Sequence, residues 1–171
     1  MQPYVPDTLP LTALDYQRLL PLVGQANAAL ARYDGLLQGI PNPAVMLSPL
    51  TTQEAVLSSK IEGTQATVDE VLEQEAGMLK EGEKFQDIQE ISNYRQALYV
   101  ARDHLQEYPI RLSFVRELHR ILMNSVRGQD KTPGEFRRDQ NWIGKYGCAM
   151  EQATFVPPNP IQLPDHLQAW E

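Results

Sequence analysis

The sequence predicts a mainly α-helical fold of about six helices with one β-hairpin. Three observations carry this. Apolar residues recur at spacings of three and four in successive stretches up to Ser125. Capping residues and Gly or Pro stops bracket those stretches. After Gly128 the texture changes to two short β-prone runs. The chain has 171 residues, 42% apolar and 22% charged, which suits one soluble globular domain with a real core.

Taken in order, the first ten residues hold Pro3, Pro6 and Pro10 and read as an extended arm. A first helix begins near Thr12 to Asp15. Leu19, Leu20, Val23, Ala26, Leu30 and Tyr33 form its apolar stripe, with a start or kink expected at Pro21 and a stop around Gly35 to Gly39. Pro41-Asn42-Pro43 and Ser48-Pro49-Leu50 read as breaks. Thr51 or Thr52 then caps a helix running to Glu62, with Gly63 as its C′ residue. Thr67 and Glu70 have capping-box spacing and open a short helix through Glu75. Residues 77–86 read as a solvated loop.

A long helix covers about Asp87 to Glu107, with Ile88, Ile91, Tyr94, Ala97, Leu98, Ala101 and Leu105 on its apolar face. Pro109 follows it. Ser113 caps the next helix, whose expected buried positions are Val115, Leu118, Ile121 and Leu122. Thr132-Pro133-Gly134 is a turn. Trp142-Ile143-Gly144 and Ala153-Thr154-Phe155-Val156 are the two arms of the expected hairpin, stopped by Pro157-Pro158. Leu163 to Glu171 begins a last helix near Pro164 or Asp165. Trp142 and Trp170 are expected in the core.

A net charge of −7 argues against non-specific nucleic-acid binding, which needs Lys and Arg to neutralise phosphates. It leaves room for a nucleotide site built from a few arginines. The single cysteine, Cys148, excludes an intrachain disulfide and reads as a structural or incidental thiol in a reducing compartment. The N-terminus has no basic n-region and no apolar h-region. No apolar run approaches the roughly 20 residues that span a bilayer. The expected location is the cytoplasm, without membrane or nucleic-acid partners.

The most informative segment is Ser58-Ser59-Lys60-Ile61-Glu62-Gly63. Ser58 and Glu62 are four apart and share a helix face. Gly63 ends the helix just beyond the carboxylate. A carboxylate in a C-terminal turn is disfavoured by the helix dipole, so it invites an outside cation, most simply an arginine. Taken alone, a surface Glu beside a Gly cap is the simpler reading.

Ser58-x-x-x-Glu62-Gly63 resembles the inhibitory motif [S/T]-x-x-x-E-[G/N] of Fic proteins. Other segments resemble the same family in the same order. Leu47 to Ala55 and Thr64 to Thr67 are similar to its N-terminal region. Asn93 to Leu98 and Ile110 to Met123 are similar to the first helices of its core. Pro133 to Arg137 and Gln140 to Gly144 resemble the stretch before its flap hairpin, and Phe155-Val156-Pro157-Pro158 the flap. On this resemblance the chain is a Fic-like helical bundle: residues 1–80 the N-terminal region with the inhibitory helix, residues 81–171 the first part of the core with the flap.

The resemblance implies transfer of AMP from ATP to hydroxyl side chains of target proteins, with Mg²⁺, by the full-length enzyme. The family's catalytic loop reads H-x-F-x-[D/E]-G-N-G-R-x-x-R. Its His is the base, its acidic residue holds the metal, and its last Arg binds the γ-phosphate. In autoinhibited members the motif Glu pairs with that Arg, and Glu62 matches that Glu. An arginine fork suits a carboxylate or a phosphate, so the two compete. Ser58, Glu62 and Gly63 are thus the expected inhibitory residues. Glu62, Ile143 and Gly144 are expected to flank the nucleotide. Thr154, Phe155 and Val156 are expected to dock an extended target segment by β-augmentation; the other reading is an ordinary hairpin packed on the core.

This sequence departs from the family at the catalytic loop. None of its three histidines, His104, His119 and His166, precedes a Gly-Asn-Gly-Arg run. His119 reads as a hydrogen-bonded structural residue and His104 as solvated. Arg137 reads as tied to a structural carboxylate, while Arg138 stays open between a structural and a site role. The chain is expected to be inactive alone and truncated before the loop, whether as a fragment or a natural stop. Its expected partners are a target protein, the C-terminal Fic core and other copies of itself. A second reading makes it a stand-alone module that inhibits a separate Fic core in trans.

Overall fold

The computed structural model describes residues 2–78, 84–128 and 130–171, apart from the side chains of Ala44 and Met46. It is mainly helical, with six α-helices and no strand among the described residues. These are α1 (Tyr16–Gln38), α2 (Pro43–Ile61), α3 (Val68–Glu75), α4 (Phe85–His104), α5 (Leu112–Leu122) and α6 (Leu163–Trp170). No helix among the described residues is long and apolar enough to cross a membrane. The loop expected over residues 77–86 has its middle, residues 79–83, outside the described residues.

The chain forms two compact units. One comprises Asp15–Pro109 and Glu117–Gly134; the other comprises Met1–Leu14, Ile110–Arg116 and Glu135–Glu171. In the first, α2, α3 and α4 pack together around Ala55, Val56, Ala66, Val71, Ile88 and Ile91. Ile88 and Ile91 are 0% exposed. Burying side chains of this size stabilises by about 1.5–3 kcal/mol each. Asn93, also buried, donates through Nδ2 to the carbonyls of Leu122 (3.1 Å) and Asn124 (2.7 Å). It thereby satisfies a carbonyl that the end of α5 leaves open.

Helix starts follow local chemistry. Asp15 caps α1, its carboxylate accepting from Arg18 N at 3.0 Å. The Thr67–Glu70 capping box opens α3 as its spacing predicts. The expected break at Ser48-Pro49 does not occur: α2 begins at Pro43 and runs through Pro49. Pro43 sits in the first turn, where its missing N–H costs nothing. Thr51 and Thr52 are no N-caps; their hydroxyls donate to the carbonyls of Leu47 and Ser48, both at 3.3 Å. Pro21 likewise lies inside α1.

The apolar stripe of α1 is legible but uncovered: none of the helix's residues is buried, and Leu30 is 66% exposed. In α5 the buried residue is Phe114; of the expected positions Val115 is exposed and Leu118, Ile121 and Leu122 are half-buried. Trp142 and Trp170 are exposed, not core. A period names a face of an element; it does not say what packs on it.

The expected hairpin is reduced to one antiparallel bridge, Ile143 with Phe155. Ile143 N donates to Phe155 O (2.8 Å), and Thr154 N (2.7 Å) and Phe155 N (3.1 Å) donate to Ile143 O. Pairing stops there for a chemical reason. Pro157 and Pro158 have no N–H to give. Their carbonyls are taken by side chains instead, Pro157 O by Gln140 Nε2 at 3.1 Å and Pro158 O by Arg137 Nη2. On the other side a 3-10 turn, Met150–Gln152, replaces extended chain.

Candidate functional site

The first group of candidate residues sits at the end of α2. Glu62 is the C-cap and Gly63 follows at φ +100°. Gly63 N donates to Lys60 O at 3.1 Å and Thr64 N to Ser59 O at 3.2 Å. These two bonds are the Schellman pair, and they require a left-handed residue at position 63. The motif's glycine therefore fixes how the helix stops, and so where Glu62 stands. Thr64 and Ala66 turn inward directly after it and are buried. The Thr64 hydroxyl is buried without a hydrogen-bond partner among the described residues.

Glu62 itself is exposed. Among the described residues nothing pairs with its carboxylate. Ser58, one turn earlier, does not bond it: its hydroxyl donates to Glu54 Oε1 at 2.6 Å. The helix end therefore presents an unmatched carboxylate where the dipole disfavours one. That arrangement is chemically suited to receive a guanidinium.

The second group is the bridge. The structure brings Ile143 and Gly144 beside Thr154, Phe155 and Val156. A Cβ built on Gly144 would lie 2.6 Å from Cys148 Sγ and 3.3 Å from Ala153 Cα, so the segments meet too closely for a side chain. Trp142 Nε1 donates to Cys148 O at 3.1 Å and holds the connecting loop. Ile143, Thr154 and Phe155 are exposed, whereas Val156 is 1% exposed. Glu62 belongs to one compact unit and the bridge to the other.

His119 Nδ1 accepts from Gly134 N at 2.7 Å, the structural role its place in the sequence suggests. Arg137 is tied to the carbonyls of Asp139 (3.2 Å) and Pro158, not to a carboxylate. Backbone carbonyls are acceptors that can take up guanidinium N–H groups in place of a carboxylate. Arg138 is exposed and lines a cavity of about 490 Å³ with Phe136, Ile161, Leu163 and Leu167. Among the described residues no cluster of His, Cys, Asp or Glu could hold a metal ion.

Sequence reasoning missed Tyr4. Its N–H donates to Val156 O at 2.8 Å, and its ring lies 5.9 Å from that of Phe155. No local pattern announces this contact, because its partners lie about 150 residues away along the chain.

No curated protein matches the chain. Residues 20–103 match the family model described as Fic/DOC family N-terminal. The matched span holds Ser58, Glu62 and Gly63 and stops short of Ile143 to Val156. Through this segment, which runs from α1 to α4 and is just under half of the chain, the protein is similar to the N-terminal part of Fic/DOC family proteins.

Proposed function

We propose that this chain is the regulatory and target-docking part of an autoinhibited Fic-type adenylyltransferase, which transfers AMP from ATP to hydroxyl side chains of proteins. One observation carries the reading: the Glu62 carboxylate, without a partner among the described residues and set by the Schellman turn at the end of α2 inside the family-matched segment. In this reading Glu62 accepts the arginine of the catalytic loop that otherwise grips the γ-phosphate of ATP. The fork cannot hold both anions at once. Ile143 and Gly144 flank the nucleotide, and Thr154 to Val156 hold the target. ATP and Mg²⁺ belong to the catalytic loop, whose motif this sequence lacks.

The test is label transfer from ATP radiolabelled in its α-phosphate, in the protein that carries this chain together with the catalytic motif. Glu62→Gly removes the competitor. A charge-assisted pair contributes about 1.5–3 kcal/mol, so transfer rises by about 10- to 100-fold. Transfer equal to that of the unaltered protein would refute the reading.

A further inference from the structure

The arm before α1 lies on the same edge that the bridge presents. Tyr4 N donates to Val156 O at 2.8 Å, and the Tyr4 and Phe155 rings sit 5.9 Å apart at 45°. Both rings stay accessible, at 51% and 39% exposed. Flanking residues also lie along this unit. Pro3 lines a cavity with Arg138 and Asp139, and Pro6 to Leu9 line another with His166 and Trp170. Pro3 and Pro6 have no N–H, so the arm cannot zip into a longer ladder. Among the described residues one backbone bond and one ring contact tie Tyr4 to the edge, a combination that a similar segment can replace.

We propose that the Phe155–Val156 edge takes extended segments carrying an aromatic residue, and that the chain's own arm fills this place through Tyr4. This deepens the target-docking reading and rests on it. Val156 O needs a backbone N–H, which excludes proline at the central position. Phe155 needs a ring to meet its own. The tethered arm competes from within the chain, so an incoming segment binds only by displacing it. The arm is thus a built-in occupant that sets a threshold for targets.

The test titrates the synthetic peptide Gln-Pro-Tyr-Val-Pro-Asp into the full ¹⁵N-labelled chain and follows the amide resonances of Thr154 to Val156. Two variants weaken the arm's hold on the edge: Tyr4→Pro deletes both the N–H and the ring, and Tyr4→Ala deletes the ring while keeping the N–H. Tyr4 lies outside the core, and the remaining amide spectrum reports that each variant is folded. The peptide is expected to move these resonances in both variants with an apparent affinity at least about tenfold tighter than in the unaltered chain. The same peptide with alanine for tyrosine is expected to leave them in place. Equal titrations in all three chains, or equal binding of the alanine peptide, would overturn the proposal. Neither outcome depends on AMP transfer, so failure here and failure of the adenylyltransferase reading are told apart by the Glu62→Gly assay.

Discussion

Glu70 illustrates how much one side chain can hold. Its carboxylate accepts from Lys84 Nζ at 2.7 Å and from Thr67 N at 2.8 Å. The Lys84 bond first, and the Thr67 N–H second, hold its carboxyl below the ordinary value of 4.5. A lowered folded value means the ionised form is favoured by folding. The stabilisation is present above the ordinary value and is lost as pH falls through the lowered one. Urea midpoints followed from about pH 6 down to pH 3 should therefore fall less steeply for Glu70→Gln than for the unaltered chain. The two slopes would coincide if these bonds do not form. Half of this site was legible in the sequence. The Thr67–Glu70 spacing is local and follows from helix geometry, while Lys84 lies across a loop that no pattern closes. Arg137 teaches the same lesson. Its structural role was readable, but its carbonyl partners were not, because they depend on where Pro158 passes.

At the scale of elements, the stops were better written than the starts. Gly63 reads as a C′ residue because only glycine reaches φ +100° cheaply, and the turn is built that way. A Cβ there meets nothing within 4 Å, so Gly63→Ala tests backbone strain alone. It should cost about 1–2 kcal/mol in urea unfolding. A change under about 0.5 kcal/mol, typical of a neutral surface site, would mean the turn relaxes and no longer positions Glu62. The start of α2 was misread because Pro49 counts against a helix by local rules. Helical pairing on both sides of it, and the burial of Ala55 and Val56 further on, outweigh one lost bond. The hairpin was misread for the opposite reason. Two β-prone runs fit a ladder, yet Pro157 and Pro158 end it after one bridge. The alternation of residue types cannot register that the facing carbonyls are claimed by Gln140 and Arg137.

On the scale of the whole molecule, the helical class of fold and the helix stop at Gly63 were legible, and the covering of surfaces was not. The mainly helical architecture follows from periodicity in α1 to α6. The exposed stripe of α1 carries that periodicity with no residue buried, so sequence pattern and packing part company there. The division into two units was not legible either. It assigns the arm around Tyr4 and the bridge at Ile143 to one body, although about 140 residues separate them in sequence. Glu62 lies in the other unit, among helices that match the Fic/DOC N-terminal family. In the proposed function this carboxylate and the γ-phosphate compete for one arginine. The most direct measurement is the ratio of ATP to ADP affinity, by calorimetry, in the protein holding both this chain and the catalytic motif. With Glu62 present the γ-phosphate gains little and the ratio stays near about 1; in Glu62→Gly it rises to about 10–100. The same ratio in both proteins would contradict the competition and remove the basis for autoinhibition by Glu62.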